Sequence, residues 1–191
     1  TPEEYAKEVR RARDAGAAPG ERFLEVGAGL GSLTVALADA GSDVLALETD
    51  PALVIALSEV VGSRPTVRVV QADAARANWA ALLGDGRWRM ASNLPYHVAV
   101  SVLLDLLERA SQVDHFVVMV QREVGERLAA RPGQAAFGGV SLKVAYRASV
   151  RVLRRVAPTV FWPQPKVESV VIGLERHPPP VSVPAPVLFR L

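Results

Sequence analysis

The chain has 191 residues, half of them hydrophobic and 22% charged, which suffices for one sizeable core and leaves no room for a second complete domain. It has no cysteine, which excludes disulfides and thiolate zinc sites, and its three histidines (His97, His115, His177) are scattered, so no metal is expected and each histidine is read as a surface or loop residue. A net charge of +2 permits nucleic-acid binding without requiring it, no apolar run reaches membrane-spanning length, and the charged start Thr1-Pro2-Glu3-Glu4 is not a signal peptide, so a cytoplasmic protein is expected.

The first predicted element is a helix opened by a Thr1-x-x-Glu4 capping box with Pro2 at its first position and ending at Gly16. Strands near 22–26, 43–47, 67–71, 88–92 and 116–120 then alternate with helical patterns at 32–40, 51–61, 75–83, 99–110 and 122–130, the spacing of a doubly wound parallel sheet. After Arg131-Pro132-Gly133 a looser stretch leads to Val140–Tyr146. Runs at Val150–Val156 and Val167–Leu174 follow, joined by a Pro-rich loop as in an antiparallel pair at a sheet edge. From His177-Pro178-Pro179-Pro180 the tail reads as extended linker.

Chemistry concentrates at the predicted strand ends. Phe23 to Gly31 is a strand opening into glycines and then a helix, but the third glycine comes one residue earlier than a dinucleotide fingerprint requires. Glu25 precedes the first glycine, where it would repel a pyrophosphate but tolerate a zwitterionic amino acid on a cationic sulfonium, which describes S-adenosylmethionine. Glu48 ends the second strand, placed to accept hydrogen bonds from both ribose hydroxyls, and Asp73 follows the third within reach of an adenine amino group. Each carboxylate alone is more often a helix cap or a solvated loop charge.

The fourth strand closes on Asn93-Leu94-Pro95-Tyr96. An exocyclic amino nitrogen is a poor nucleophile because its lone pair is delocalised into the ring, and two acceptors are needed to draw its hydrogens out of the plane. The Asn93 carboxamide oxygen can be one and the carbonyl of Leu94 or Pro95 the other, while Tyr96 offers a face for an extruded base. The same four residues would also serve as an ordinary strand-ending turn. Three carboxylates at successive strand ends followed by this turn make coincidence hard to sustain.

Taken with the blocks Glu25–Thr34, Glu48–Pro51, Gln71–Ala74, Asn93–Tyr96, Val120–Arg127 and Pro158–Val167, the chain resembles the ribosomal RNA adenine N6,N6-dimethyltransferase family over about residues 20–176. The resemblance implies a Rossmann-like class I S-adenosylmethionine-dependent methyltransferase, α/β, with a mostly parallel sheet and an antiparallel edge pair. It places Gly27, Gly29, Glu48, Asp73, Ala74 and Asn93 at the cofactor, and Asn93, Pro95, Tyr96 and Phe161 at the target adenine. Phe161, held in a Pro-rich loop beside Trp162, would form the second face of the base clamp, with a core role as the competing reading. The implied partner is ribosomal RNA or a small-subunit precursor, met by a monomer without metal.

Two departures stand out. The family's Gln-Asn-Phe-Leu-like segment before the first helix has no counterpart in Thr1–Glu21, and Phe189-Arg190-Leu191 resembles the start of a helical domain not contained in the chain. Residues 1–176 are therefore read as the catalytic domain and 177–191 as a linker, with truncation expected at both ends. Arginines at 10, 11, 13, 147, 151, 154 and 155 are candidate phosphate contacts if they share a face with Asn93, against a solvated helix face as the plainer reading of 10–13. Two other functions compete: a large-subunit RNA methyltransferase of macrolide-resistance type, and a non-catalytic RNA-binding assembly factor on the same fold.

Overall fold

Seven strands form one sheet in the order β3-β2-β1-β4-β5-β7-β6, with β1 (Arg22–Val26), β2 (Asp43–Glu48), β3 (Val67–Gln71), β4 (Trp88–Asn93) and β5 (Val113–Gln121) mutually parallel. β7 (Ser169–Arg176) runs antiparallel to both β5 and the edge strand β6 (Ala148–Val156), so the expected antiparallel edge pair is present. The computed structural model describes residues 2–95, 97–160, 164–182 and 185–189.

The parallel strands read as continuous apolar runs because helices cover both faces of the sheet. On one face α1 (Pro2–Asp14), α2 (Ser32–Asp39) and α3 (Pro51–Val61) bury Phe23, Leu33, Leu37, Ala46, Leu57 and Met119. On the other, α4 (Trp79–Leu83), α5 (Ala99–Arg109), α6 (Arg122–Ala129) and α7 (Gly139–Ala145) enclose Trp79, Met90, Leu103, Leu106, Phe116 and Ile172. Local chemistry sets the boundaries. Asp50 caps α3 by accepting from the backbone N–H of Ala52 and Leu53 ahead of Pro51, where proline's missing donor is no loss.

Four sequence expectations need correction. The helix expected over 75–83 is a 3-10 turn at Ala74–Arg76 followed by α4, because Asp73 and Asn78 each accept from the N–H two or three residues ahead and start separate turns. The first helix ends at Asp14, two residues before left-handed Gly16. The tail is not wholly extended: Ala185–Leu188 is helical (α8), and Phe189 meets Tyr146 edge to face at 5.6 Å. His115 is neither a surface nor a loop residue but sits half-buried in β5, where burial and the Arg89 guanidinium hold its imidazole below the usual range. The Thr1 cap expected for α1 lies outside the described residues.

Candidate functional site

The chain crosses from one side of the sheet to the other between β1 and β4, and ligands of open α/β sheets bind outside the strand carboxyl ends at such a switch point. The register shows the two strands parting here. β1 and β4 pair at Phe23–Arg89 and Leu24–Met90, whereas further along Val26 N–H donates to the Ser92 hydroxyl at 2.9 Å. A side chain thus replaces a ladder bond where the two strands part, a role the sequence did not signal.

The Gly-rich turn after β1 is hooked onto β2, since the Gly27 and Ala28 N–H groups both donate to the Leu47 carbonyl at 2.8 and 3.1 Å. Gly27 has φ +72°, and a Cβ there would stand 3.3 Å from Pro95 Cδ, so only glycine lets the turn approach the Asn93–Pro95 segment without strain. Gly29 is also left-handed, and a Cβ on it would meet nothing within 4 Å, so its backbone faces open space. The glycine that comes one residue early, Gly31, fulfils the packing role of its type: a Cβ would lie 2.5 Å from Leu57 on α3.

The carboxylates divide the work. Glu48, almost fully buried, accepts from Gly29 N–H on Oε2 at 2.9 Å and from Thr49 N–H and Asp50 N–H on Oε1 at 2.7 and 3.1 Å. With two lone pairs on each oxygen, Oε1 is saturated and Oε2 keeps one site for a ligand hydroxyl. Asp73 is half-exposed, caps the 3-10 turn through Ala75 N–H at 2.9 Å, and lies 4.0 Å from Arg76. Ala74, beside it, is buried. Glu25 is 2% exposed and accepts from the Thr34 hydroxyl at 2.6 Å. Its burial pushes the carboxyl up to about 8, with Glu8 and Glu48 adding to the rise and Thr34 and Arg11 opposing it.

Asn93 is the last residue of β4, and α1 reaches it. Arg11 donates through Nη1 to Asn93 Oδ1, pairs with Glu8 at 2.7 Å, and brings Nη2 to 3.5 Å from Met119 sulfur. Leu94 N–H donates to the Met119 carbonyl at 3.2 Å, which ties the turn to β5. The Pro95 carbonyl accepts from Val98 and Ala99 N–H, both at 3.1 Å, and so is consumed in starting α5. Of the two carbonyls the sequence left open, that leaves Leu94 for a substrate amino hydrogen. Tyr96 and Phe161 lie outside the described residues.

The arginines separate. Arg11, read as a phosphate contact, is instead buried at 3% exposure. Its position was legible in principle, because residues 8, 11, 12 and 15 recur at helical spacing and Ala12 and Ala15 are core. Arg10 and Arg13 are exposed, as a solvated face would be. Arg154 binds Asp14 of α1 at 2.8 Å, while Arg147 and Arg151 pair with Glu108 and Glu175 at 3.6 and 3.2 Å. Arg155 is exposed, and its register places it on the sheet face opposite Arg154. A cleft of about 240 Å³ between α1 and α2, lined in part by Tyr5, Val9, Arg13 and Asp39, contains none of the residues read as cofactor or adenine contacts. Among the described residues no cluster of three His, Cys, Asp or Glu could hold a metal ion, and no helix is long and apolar enough to cross a membrane.

A sequence profile described as ribosomal RNA adenine dimethylase matches residues 9–190. The chain belongs to this family. It is 45% identical over 178 residues to the ribosomal RNA small subunit methyltransferase A of Thermobifida fusca, covering 90% of this chain and 61% of that protein. It is also 41% identical over 186 residues to the enzyme of the same name from Streptomyces griseus, covering 94% of this chain and 63% of that protein. The chain therefore spans somewhat under two thirds of these relatives. Among solved structures it superposes on a 23S rRNA methyltransferase, ErmE, with TM-score 0.78 at 26% identity, covering 93% of this chain and 70% of that one. A dimethyladenosine transferase from Plasmodium falciparum, at TM-score 0.76 and 22% identity over 88% of this chain and 61% of its own, shares the fold. The family and its Rossmann-like methyltransferase architecture thus agree with the strand-end motifs.

Proposed function

We propose that this chain carries out S-adenosylmethionine-dependent N6-methylation, and dimethylation, of adenines in small-subunit ribosomal RNA during ribosome maturation, as a cytoplasmic monomer. The observation that carries the reading is the position of Asn93: it ends β4 at the switch point, in a turn whose Pro95 stands where it would crowd a Cβ on Gly27 of the Gly-rich loop. This closeness supports an amino-group acceptor lying beside a cofactor cradle.

The residues suit the cofactor. The open backbone at Gly29, the free site on Glu48 Oε2 and the exposed Asp73 carboxylate suit an adenosine. When bound, S-adenosylmethionine supplies a methyl group on a good leaving group. Asn93 Oδ1 and the Leu94 carbonyl then hold the two amino hydrogens of an extruded adenine and turn its lone pair toward that methyl. Tyr96 and Phe161 supply stacking faces worth about 1–3 kcal/mol per contact. No strong general base is needed, because methylation makes the N6 proton acidic enough for water to remove. Orientation and fixed dipoles provide the rate.

A large-subunit target is the second reading, supported by the resemblance to ErmE, but identity there is 26% against 45% for the small-subunit relative. Incubating separate small- and large-subunit precursor particles with isotopically labelled cofactor, followed by mass analysis of the nucleosides, decides between them. Labelled dimethyladenosine confined to the small-subunit RNA is the expected result. Label in the large-subunit RNA alone would reverse the assignment, and none in either would leave the non-catalytic assembly factor.

A further inference from the structure

A carboxamide has two ends of nearly equal size, and only the oxygen end can accept an amino hydrogen. At Asn93 the choice of end is made by α1. Arg11 Nη1 donates to Oδ1, and the Asn93 amide donates to the Glu8 carboxylate, while Arg11 and Glu8 pair with each other at 2.7 Å. Turning the amide over would set its hydrogens against a guanidinium and its oxygen against a carboxylate, so both contacts would become repulsive together. The arrangement is a poor source of stability. Arg11 is 3% exposed, its Nε has no hydrogen-bond partner, and a buried ion pair commonly does no better than apolar residues of the same size.

We propose that Glu8 and Arg11 are positioning residues for the transfer reaction, holding Asn93 so that Oδ1 is presented to the substrate amino group. The proposal rests on the amino-group chemistry above. Arg11 takes one lone pair of Oδ1 and leaves the other for an adenine hydrogen. Glu8 accepts from the amide nitrogen and so holds that end away from the substrate. Nothing in Thr1–Glu21 resembles the family's usual segment, and α1 itself provides these contacts.

The test separates positioning from packing. Glu8→Leu/Arg11→Met removes both charges with little change in volume and is expected to keep the melting temperature within a few degrees and the affinity for S-adenosylhomocysteine within threefold. Its single-turnover rate should nevertheless fall at least tenfold. Glu8→Gln, which still accepts from Asn93, should keep a third or more of the parent rate. Recovery of the full rate in the double variant would overturn the proposal, as would a rate above the parent's, which would mean that Arg11 obstructs the acceptor. A readout independent of catalysis is hydrogen exchange of the Asn93 side-chain amide, assigned by its loss in Asn93→Ala: slow in the parent and in Glu8→Gln, fast in Glu8→Leu. Fast exchange in the parent would remove the clamp even if the enzyme is active. Slow exchange in a parent that transfers no methyl group would instead overturn the proposed reaction, and the positioning role with it.

Discussion

Thr34 on α2 donates its hydroxyl to Glu25 on β1 at 2.6 Å, in a position where Glu25 is 2% exposed. The contact joins the strand before the Gly-rich turn to the helix after it, and it fixes a carboxyl that burial raises to about 8. At neutral pH that group is protonated.

Stability should therefore depend on pH through Glu25 with a definite sign. Its folded pKa is raised above the usual 4.5, so its contribution is fully present below that value and is lost as pH rises toward about 8. Raising a carboxyl pKa by one pH unit corresponds to about 1.4 kcal/mol, which bounds the change at several kcal/mol. Urea unfolding at pH 5, 7 and 9 should show the parent losing more stability over this interval than Glu25→Gln. Burial raises Glu8 as well, but that residue is common to both proteins and cancels in the comparison. Parallel curves would show that Glu25 is ionised in the fold.

Arg176 gathers four carbonyls, those of Val113, Leu107, Leu106 and Ala110, at 2.8–3.0 Å. Three of these belong to the last turn of α5 and its cap, where the helix dipole favours a cation; the Leu106 and Ala110 carbonyls also accept from the Ala110 and Val113 N–H groups. Arg176→Ala should destabilise the fold by about 2–3 kcal/mol, since hydrogen bonds to charged groups are worth more than neutral ones. Denaturant melts of the variant measure this directly, and a loss below half that range would mean water replaces the guanidinium without penalty.

Glu48 and Asp73 are expected to contribute to cofactor binding separately. Glu48→Ala and Asp73→Ala should each weaken S-adenosylmethionine binding by about 1–3 kcal/mol in calorimetry. Glu48→Ala should also lower stability, because the Gly29, Thr49 and Asp50 N–H groups lose their acceptor, whereas Asp73 is half-exposed and caps only a short turn. Unchanged binding in both variants would move the cofactor elsewhere.

Asn93→Ala should abolish methyl transfer while lowering cofactor affinity only modestly. Tyr96→Ala and Phe161→Ala should chiefly impair turnover on RNA. Near-parental activity of Asn93→Ala on a competent precursor particle would exclude the amino-group mechanism.

RNA recognition is expected to extend past this domain. A protein spanning the full length of the relatives should methylate an immature small-subunit particle faster than the 191-residue chain, with a steeper dependence on salt because it makes more phosphate contacts. Single-turnover rates at two salt concentrations make the comparison. Equal rates and slopes would assign recognition to this domain, with Arg10, Arg13, Arg154 and Arg155 as the first arginines to examine.

Local patterning determined much of this protein. Continuous apolar runs mark strands buried on both faces, and glycines at 27, 29 and 31 with carboxylates at 25, 48 and 73 mark the crevice proposed for the cofactor, because turn geometry and strand-end charge are written within a few residues. Asn93-Leu94-Pro95-Tyr96 suggested the proposed reaction in the same way. What depends on distant chain segments meeting was not legible. That Pro95 spends its carbonyl on α5 and leaves Leu94 to the substrate follows from how the helix starts, and Ser92 bridging to Val26 follows from two strands parting. Arg11 is the clearest case. In sequence it is one of three clustered arginines, while in the fold α1 lies against β4 and turns that single side chain inward to Asn93, 82 residues away. Helical periodicity shows which residues share a stripe, but only tertiary packing decides what the stripe meets.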